Sequence, residues 1–183
     1  MISKQFSDPR MHQRISCTLL IALLTLVTLP SLAASGSQLT DFDGNSKTIK
    51  EYTGKGDWLV VMIWASDCAV CNREVHEYVK FHQQHRSKDA RMLGVSLDGD
   101  AKKGDAREFL DKHKVNFPSL IGEPQAVAQM YQQLTGDRWV GTPSFMVYTP
   151  DGELLGAQAG AVPVSVIESF IERESASQSP AKP

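Results

Sequence analysis

An unbroken apolar run, Trp58 to Trp64, stands downstream of a polar turn at Gly54-Lys55-Gly56-Asp57. Within it Leu59-Val60-Val61-Met62-Ile63 offers no polar position to water, which predicts a central strand covered on both faces. Upstream the pattern alternates. Gln38 to Phe42, a turn signal at Asp43-Gly44-Asn45, and Ser46 to Ile49 together predict a small N-terminal hairpin. Downstream, helical spacing takes over. Cys71, Val75, Tyr78, Val79 and His82 fall on one stripe, and the helix is predicted to end near His85-Arg86-Ser87.

Arg91 to Leu97 predicts a second apolar strand, closed by Asp98-Gly99-Asp100. Asp105 to Lys114 predicts a helix with Phe109 and Leu110 inward, and Val115 to Ile121 a short extended piece interrupted by Pro118. Gln125 to Leu134 predicts a helix with Val127, Met130, Tyr131 and Leu134 inward. A loop over 136–143 precedes an apolar strand, Ser144 to Tyr148. A tight turn, Thr149-Pro150-Asp151-Gly152, then joins it to a strand over Glu153 to Gln158. Val164 to Arg173 predicts a last amphipathic helix with Val166, Ile167, Phe170 and Ile171 inward. Alternation of strand and helix gives parallel neighbours, and the two hairpins add antiparallel ones. The expectation is one α/β domain with a mixed central sheet, over residues 34–174.

The two ends have a different character. Lys4, Arg10 and Arg14 precede an uncharged run from Cys17 to Leu29. Pro30 breaks that run, and Ser31-Leu32-Ala33 supplies small residues. This is the pattern of a secretory signal peptide over 1–33, followed by a polar linker at Ser35 to Ser37. The run is shorter than the roughly 20 apolar residues of a spanning helix. An uncleaved signal would still anchor the chain through residues 15–30. The exported location implied is periplasmic or equivalent. Ser175 to Pro183 is rich in Ser, Pro and Ala and reads as a disordered tail.

Charge narrows the partners. The net charge of the 183 residues is -2. Removing 1–33 takes away three positive residues and one acidic residue, which makes it -4. With no basic stripe, nucleic acid is excluded as a partner. Export also changes the cysteine arithmetic. Cys17 lies in the signal, so Cys68 and Cys71 remain. A domain of this size needs no disulfide staple, and a bridge closing so short a loop constrains the unfolded chain little. The pair therefore reads as chemical and not structural.

The stretch Trp64-Ala65-Ser66-Asp67-Cys68-Ala69-Val70-Cys71 follows the central strand and opens a helix. The nucleophile in thiol–disulfide exchange is a thiolate. At a helix N-terminus, unpaired N–H groups and the positive dipole end stabilise that anion at Cys68. Cys68 would attack a substrate disulfide, and Cys71, one turn along, would resolve the mixed disulfide. Zinc would need two further ligands, and no second CxxC is present. His82 and His85 are close on the same helix but too few for a site. No metal and no cofactor are called for.

From about Gln38 to Glu174 the chain resembles the TlpA/ResA-like branch of exported thioredoxin-fold thiol–disulfide oxidoreductases. The resemblance rests on the strand–loop–helix around Cys68-Ala69-Val70-Cys71, on Gly94-Val95-Ser96-Leu97-Asp98 with the following helix and Phe117-Pro118, and on Gly141-Thr142-Pro143-Ser144-Phe145 followed by Asp151-Gly152-Glu153. It implies a thioredoxin-like three-layer fold, with helices flanking the mixed sheet, an N-terminal β-hairpin and an inserted strand–helix unit. It also implies a cis Pro143 beside the cysteines, with Thr142 offering its backbone to an extended substrate segment. Glu74, three residues after Cys71, matches an acidic position that handles protons near the pair. Thioredoxin's own buried acid, six residues before the first cysteine, is here Met62. Implied partners are protein disulfides or dithiols and a membrane-bound electron donor, with the protein acting as a monomer. The implied task is disulfide reduction, as in cytochrome c maturation.

Two positions depart from the family. Asp67 stands where an aromatic residue is usual. Aspartate fills helix N-cap positions well, and its charge would also raise the pKa of a neighbouring thiol. Val70 replaces the usual proline, so the reduction potential does not transfer by analogy. Trp58, Trp64 and Trp139 read as packing residues, with Trp139 a candidate to flank the substrate groove. The rival functions are a disulfide oxidase or isomerase, a peroxidase, and a haem- or copper-chaperone binding module. The peroxidase needs Thr-x-x-Cys, and residue 65 is Ala. The binding module has neither CxxCH nor a Met/His cluster to support it.

Overall fold

A computed structural model describes residues 39–178. The signal peptide read over 1–33, the linker after it and an anchor at 15–30 lie outside the described residues. No helix among the described residues is long and apolar enough to cross a membrane.

The chain runs β1 (Leu39–Asp41), β2 (Ser46–Lys47), β3 (Trp58–Trp64), α1 (Ala69–His85), β4 (Ala90–Ser96), α2 (Lys103–Lys112), β5 (Ser119–Ile121), α3 (Pro124–Thr135), β6 (Ser144–Tyr148), β7 (Leu154–Ala159) and α4 (Val164–Gln178). The strands form one mixed sheet in the order β2-β1-β5-β4-β3-β6-β7. β3 pairs in parallel with β4, and β4 with β5, because α1 and α2 carry the chain back between them. β6 lies antiparallel to β3 on its other side. The N-terminal hairpin joins the sheet through β1, which also pairs antiparallel with β5. This is the thioredoxin-like architecture.

β3 has no polar face because the sheet is covered twice. Trp58, Val60, Met62 and Trp64 enter one core with α1, α2 and α4 residues, including Tyr78, Phe81, Phe109 and Ile167. Leu59, Val61 and Ile63 enter the other with Val127, Met130 and Tyr131 of α3. The alternation is the two-residue period of a strand, with both faces apolar. Trp64 stacks on Phe109 at 4.3 Å between centroids. Such a pair contributes about 0.5–1.5 kcal/mol beyond its buried area. Gly94 on β4 makes room for it, since a Cβ there would come within 2.9 Å of the Trp64 indole nitrogen and 2.6 Å of the Ser119 hydroxyl.

Three expectations need correction. α4 does not stop at Arg173 but continues to Gln178, so residues 175–178 are helical and not tail. The Trp58 indole N–H donates to the Ser175 hydroxyl at 3.0 Å, which ties the extra turn to the sheet. Val166 is 54% exposed and Leu134 43%, against the inward positions expected for them. Ile167 and Ile171 carry the buried stripe of α4, and Val166 sits one position off it. α2 begins at Lys103 and ends at Lys112, before Lys114 takes a left-handed φ of 51°.

His82, on the buried stripe of α1, is 5% exposed. Its Nδ1 accepts the Met92 backbone N–H at 3.1 Å, so the ring is neutral with its proton on Nε2. Burial, reinforced by Arg86 and Arg91, holds its pKa below the ordinary value. Above pH of about 6.5 the ring is neutral in the folded and unfolded chain alike. Below that, the unfolded chain takes the proton first, so stability falls as pH drops toward the lowered folded value. Denaturant midpoints at pH 7.5 and 5.5 should therefore diverge more for the native chain than for His82→Asn. Equal declines would remove His82 as the cause.

Candidate active site

β3 delivers the chain to the site. After Trp64, residues 65–67 turn out of the sheet, and α1 begins at Ala69. Cys68 is the N-cap residue, with φ -73° and ψ 109°, and its Sγ accepts the Cys71 N–H at 3.1 Å. A sulfur in that position sits among the unpaired N–H groups of the first turn. Cys68 and Cys71 are joined as a disulfide with Cα atoms 5.2 Å apart. Cys68 is half-buried, whereas Cys71 is 0% exposed, inside the core with Val75 and Tyr78.

Asp67 is not the cap. The residue after it fills that role. The Asp67 carboxylate is exposed and pairs with Lys102 Nζ at 2.7 Å, just ahead of α2. That hydrogen bond and charge hold its pKa below the usual carboxylate range. Sequence could not show this partner, which is 35 residues away.

The Thr142–Pro143 peptide is cis. Ser144 pairs with Ile63, so the antiparallel register carries Pro143 opposite Trp64, at the strand end that feeds the cysteine loop. The Pro143 carbonyl accepts the Gly160 N–H at 2.8 Å. Among the described residues no hydrogen bond engages the Thr142 backbone. Nearby, Val140 is 71% exposed, and the Trp139 indole N–H is buried without a partner among the described residues. Trp139 packs at the margin of the second core, while Trp58 and Trp64 are fully core residues.

Glu74 lies one turn beyond Cys71. Its side chain is about a third exposed, 3.8 Å from Arg73, in a groove with Tyr78, Pro163 and Val164. The Tyr78 hydroxyl donates to the Val162 carbonyl at 2.9 Å. Burial and then the Glu74 charge push its pKa up to about 12. His85 faces Asp89 and Glu168.

Sequence reasoning missed the side chains that hold the loop. Asp98, 7% exposed at the end of β4, accepts the Ser66 N–H at 2.9 Å, the Ser66 hydroxyl at 2.8 Å and the Ser96 hydroxyl at 2.7 Å. A buried carboxylate with that many donors is satisfied where an isolated one would be costly. The Asn72 amide donates to the Ser66 carbonyl at 2.8 Å and the Cys68 carbonyl at 3.1 Å. The acid that ends an apolar strand at Asp98 was the one available signal.

A partly exposed cysteine capping a helix, disulfide-bonded to a buried one in that helix's first turn on a thioredoxin-like fold, defines a thiol–disulfide oxidoreductase with a CxxC pair. The chain belongs to the AhpC/TSA family, whose profile matches residues 30–156. Among relatives, it is 25% identical over 147 residues to thiol-disulfide oxidoreductase ResA of Halalkalibacterium halodurans, a match covering 78% of each chain. It is 30% identical over 125 residues to alkyl hydroperoxide reductase C of Mycobacterium tuberculosis, covering 66% of this chain and 63% of that one. A thioredoxin-family thiol:disulfide interchange protein from Chlorobium tepidum superposes with a TM-score of 0.61 at 15% identity, over 73% of this chain and 89% of that one. That likeness bears on the fold.

Proposed function

We propose that the chain is an exported reductase of disulfides in other exported proteins. The asymmetry of the pair carries this reading: Cys68 is reachable, Cys71 is not, and the free Thr142 backbone stands at the strand end beside the loop. In the reduced protein the Cys68 thiolate attacks one sulfur of the substrate disulfide. The other substrate sulfur leaves as thiolate and takes a proton. Cys71 then gives up its proton and attacks Cys68 Sγ, which expels the second substrate sulfur. The substrate gains two electrons and two protons, and the Cys68–Cys71 bond closes. Glu74 takes the Cys71 proton, directly or through water. Thr142 and Pro143 present the edge on which an extended substrate segment docks.

Residues 1–33 direct export, residues 34–178 form the working domain as a monomer, and a membrane-bound dithiol donor reloads the pair. Retention of the signal would leave residues 15–30 as an anchor. The family also includes a relative named as a peroxide reductase. At the position three before Cys68, where that chemistry wants a threonine hydroxyl, this chain has Ala65, 4% exposed. Disulfide exchange is therefore the favoured reading.

Equilibration of the purified protein with dithiothreitol gives the direction of flow. A potential near -270 mV, about that of thioredoxin, is the expected result. A value near -120 mV, about that of DsbA, would instead assign an oxidase.

A further inference from the structure

Ser66 is held from two sides. Asp98 takes its N–H and hydroxyl, and Asn72 takes its carbonyl. The Asn72 amide nitrogen also reaches the Cys68 carbonyl, so one side chain spans the two peptide groups on either side of Asp67 and Cys68. Its own orientation is fixed in turn. With Nδ2 donating twice, Oδ1 is left to accept, and His113 Nε2 lies 3.0 Å from it at the end of α2. The His113 ring therefore carries its proton on Nε2 in this contact.

The structure assigns to Asn72 the role of a positioning residue for the Cys68 thiolate, with Asp98 as the opposing anchor and His113 as the group that sets the amide. This rests on the reductase reading above for its meaning, though not for its test. The physical argument concerns the reduced protein. While the disulfide is closed, a covalent bond fixes Cys68 over the first turn of α1. Once it opens, the loop depends on its hydrogen bonds and on the Asp67–Lys102 ion pair. Carbonyl oxygens engaged by Asn72 cannot turn their negative ends toward the thiolate. The Cys71 N–H, already aimed at the sulfur, stays where the anion needs it. Without the amide the Cys68 carbonyl keeps its helix bond from the Asn72 backbone N–H at 3.0 Å, but the Ser66 carbonyl loses its partner, and that freed dipole makes the thiolate less favourable relative to the thiol. Asn72 touches neither sulfur by any hydrogen bond among the described residues, so its action is through the backbone.

Asn72 is half-buried on the first turns of α1, so Asn72→Ala should fold. Asn72→Asp keeps the acceptor for His113, removes both donors and adds a negative charge. The test follows iodoacetamide alkylation of the reduced protein against pH, using a Cys17→Ser, Cys71→Ser background so that a single thiol reacts. Alkylation at neutral pH should slow about tenfold in Asn72→Ala, with the whole profile displaced to higher pH, and more in Asn72→Asp. With both cysteines present, the equilibrium with dithiothreitol should shift about tenfold toward the oxidised form, about 30 mV more negative. Thermal melting of the oxidised form should change little. An alkylation profile that does not move, or melting lowered equally in both redox forms with the potential unchanged, would overturn the assignment and leave Asn72 as ordinary helix-start packing. No substrate enters these measurements. A chain that fails to reduce insulin therefore leaves the test standing, and one that reduces insulin with an unmoved profile defeats this inference alone.

Discussion

Cys68→Ser is expected to abolish reduction of insulin disulfides, with turnover lowered by more than about a thousandfold through loss of the covalent nucleophile. The substitution separates chemistry from fold unusually well. Cys68 is the N-cap of α1, and its sulfur accepts the Cys71 N–H. Serine is among the best N-cap residues, and its oxygen can take the same bond. The helix should keep its cap, so melting of the variant should match that of the reduced native chain. What disappears is the thiolate, because a serine hydroxyl stays protonated at any working pH. Insulin turbidity with dithiothreitol as donor, corrected for the uncatalysed rate, reads the loss. Turnover above a tenth of the native value in a folded Cys68→Ser protein would sink the assignment of Cys68 as nucleophile.

Cys71→Ser should lose turnover almost as completely, by a different route. The first attack still occurs, since Cys68 keeps its place and exposure. The second does not, and the protein stalls as a mixed disulfide with one substrate molecule per chain. Non-reducing electrophoresis or intact mass should show that adduct in Cys71→Ser and none in Cys68→Ser. The reverse pattern would exchange the roles of the two cysteines. Unlike the first variant, this one carries a folding penalty. Cys71 is fully enclosed between Val75, Tyr78 and the sheet, and a hydroxyl there costs about 1–3 kcal/mol unless it finds a partner. The adduct must therefore be sought at a temperature well below the variant's melting point.

The architecture was legible wherever one segment's own pattern decided it. β3 is recognisable because seven residues without a polar position can lie only inside a sheet covered on both faces. α1 shows its buried stripe because Cys71, Val75, Tyr78 and His82 recur at helical spacing. The end of α4 was not legible, because a tryptophan on β3 holds Ser175 from 117 residues away. The site divides in the same way. The CxxC after a strand announces itself, and the cis bond before Pro143 came from likeness to a family, not from any local rule. Asp67 illustrates the failure. Aspartate before a helix is a good local cap, but Lys102 offered it an ion pair and the cysteine sulfur took the N–H instead. Asn72 was invisible for the same reason, since a side chain that serves a backbone group in the preceding loop leaves no period and no motif, and Asp98 showed only as an acid closing an apolar strand, without its partners.

The hold on Ser66 also says something about how such a protein can change over generations. The residues that fix the loop are 66, 72, 98 and 113, and none of them lies between the two cysteines. Ala69 and Val70 are exposed and half-buried, and their side chains take no part in that scaffold. Drift at this dipeptide can shift the reduction potential of the Cys68–Cys71 pair without moving the apparatus around it. A lineage can therefore explore new redox niches through two codons while the frame stays inherited.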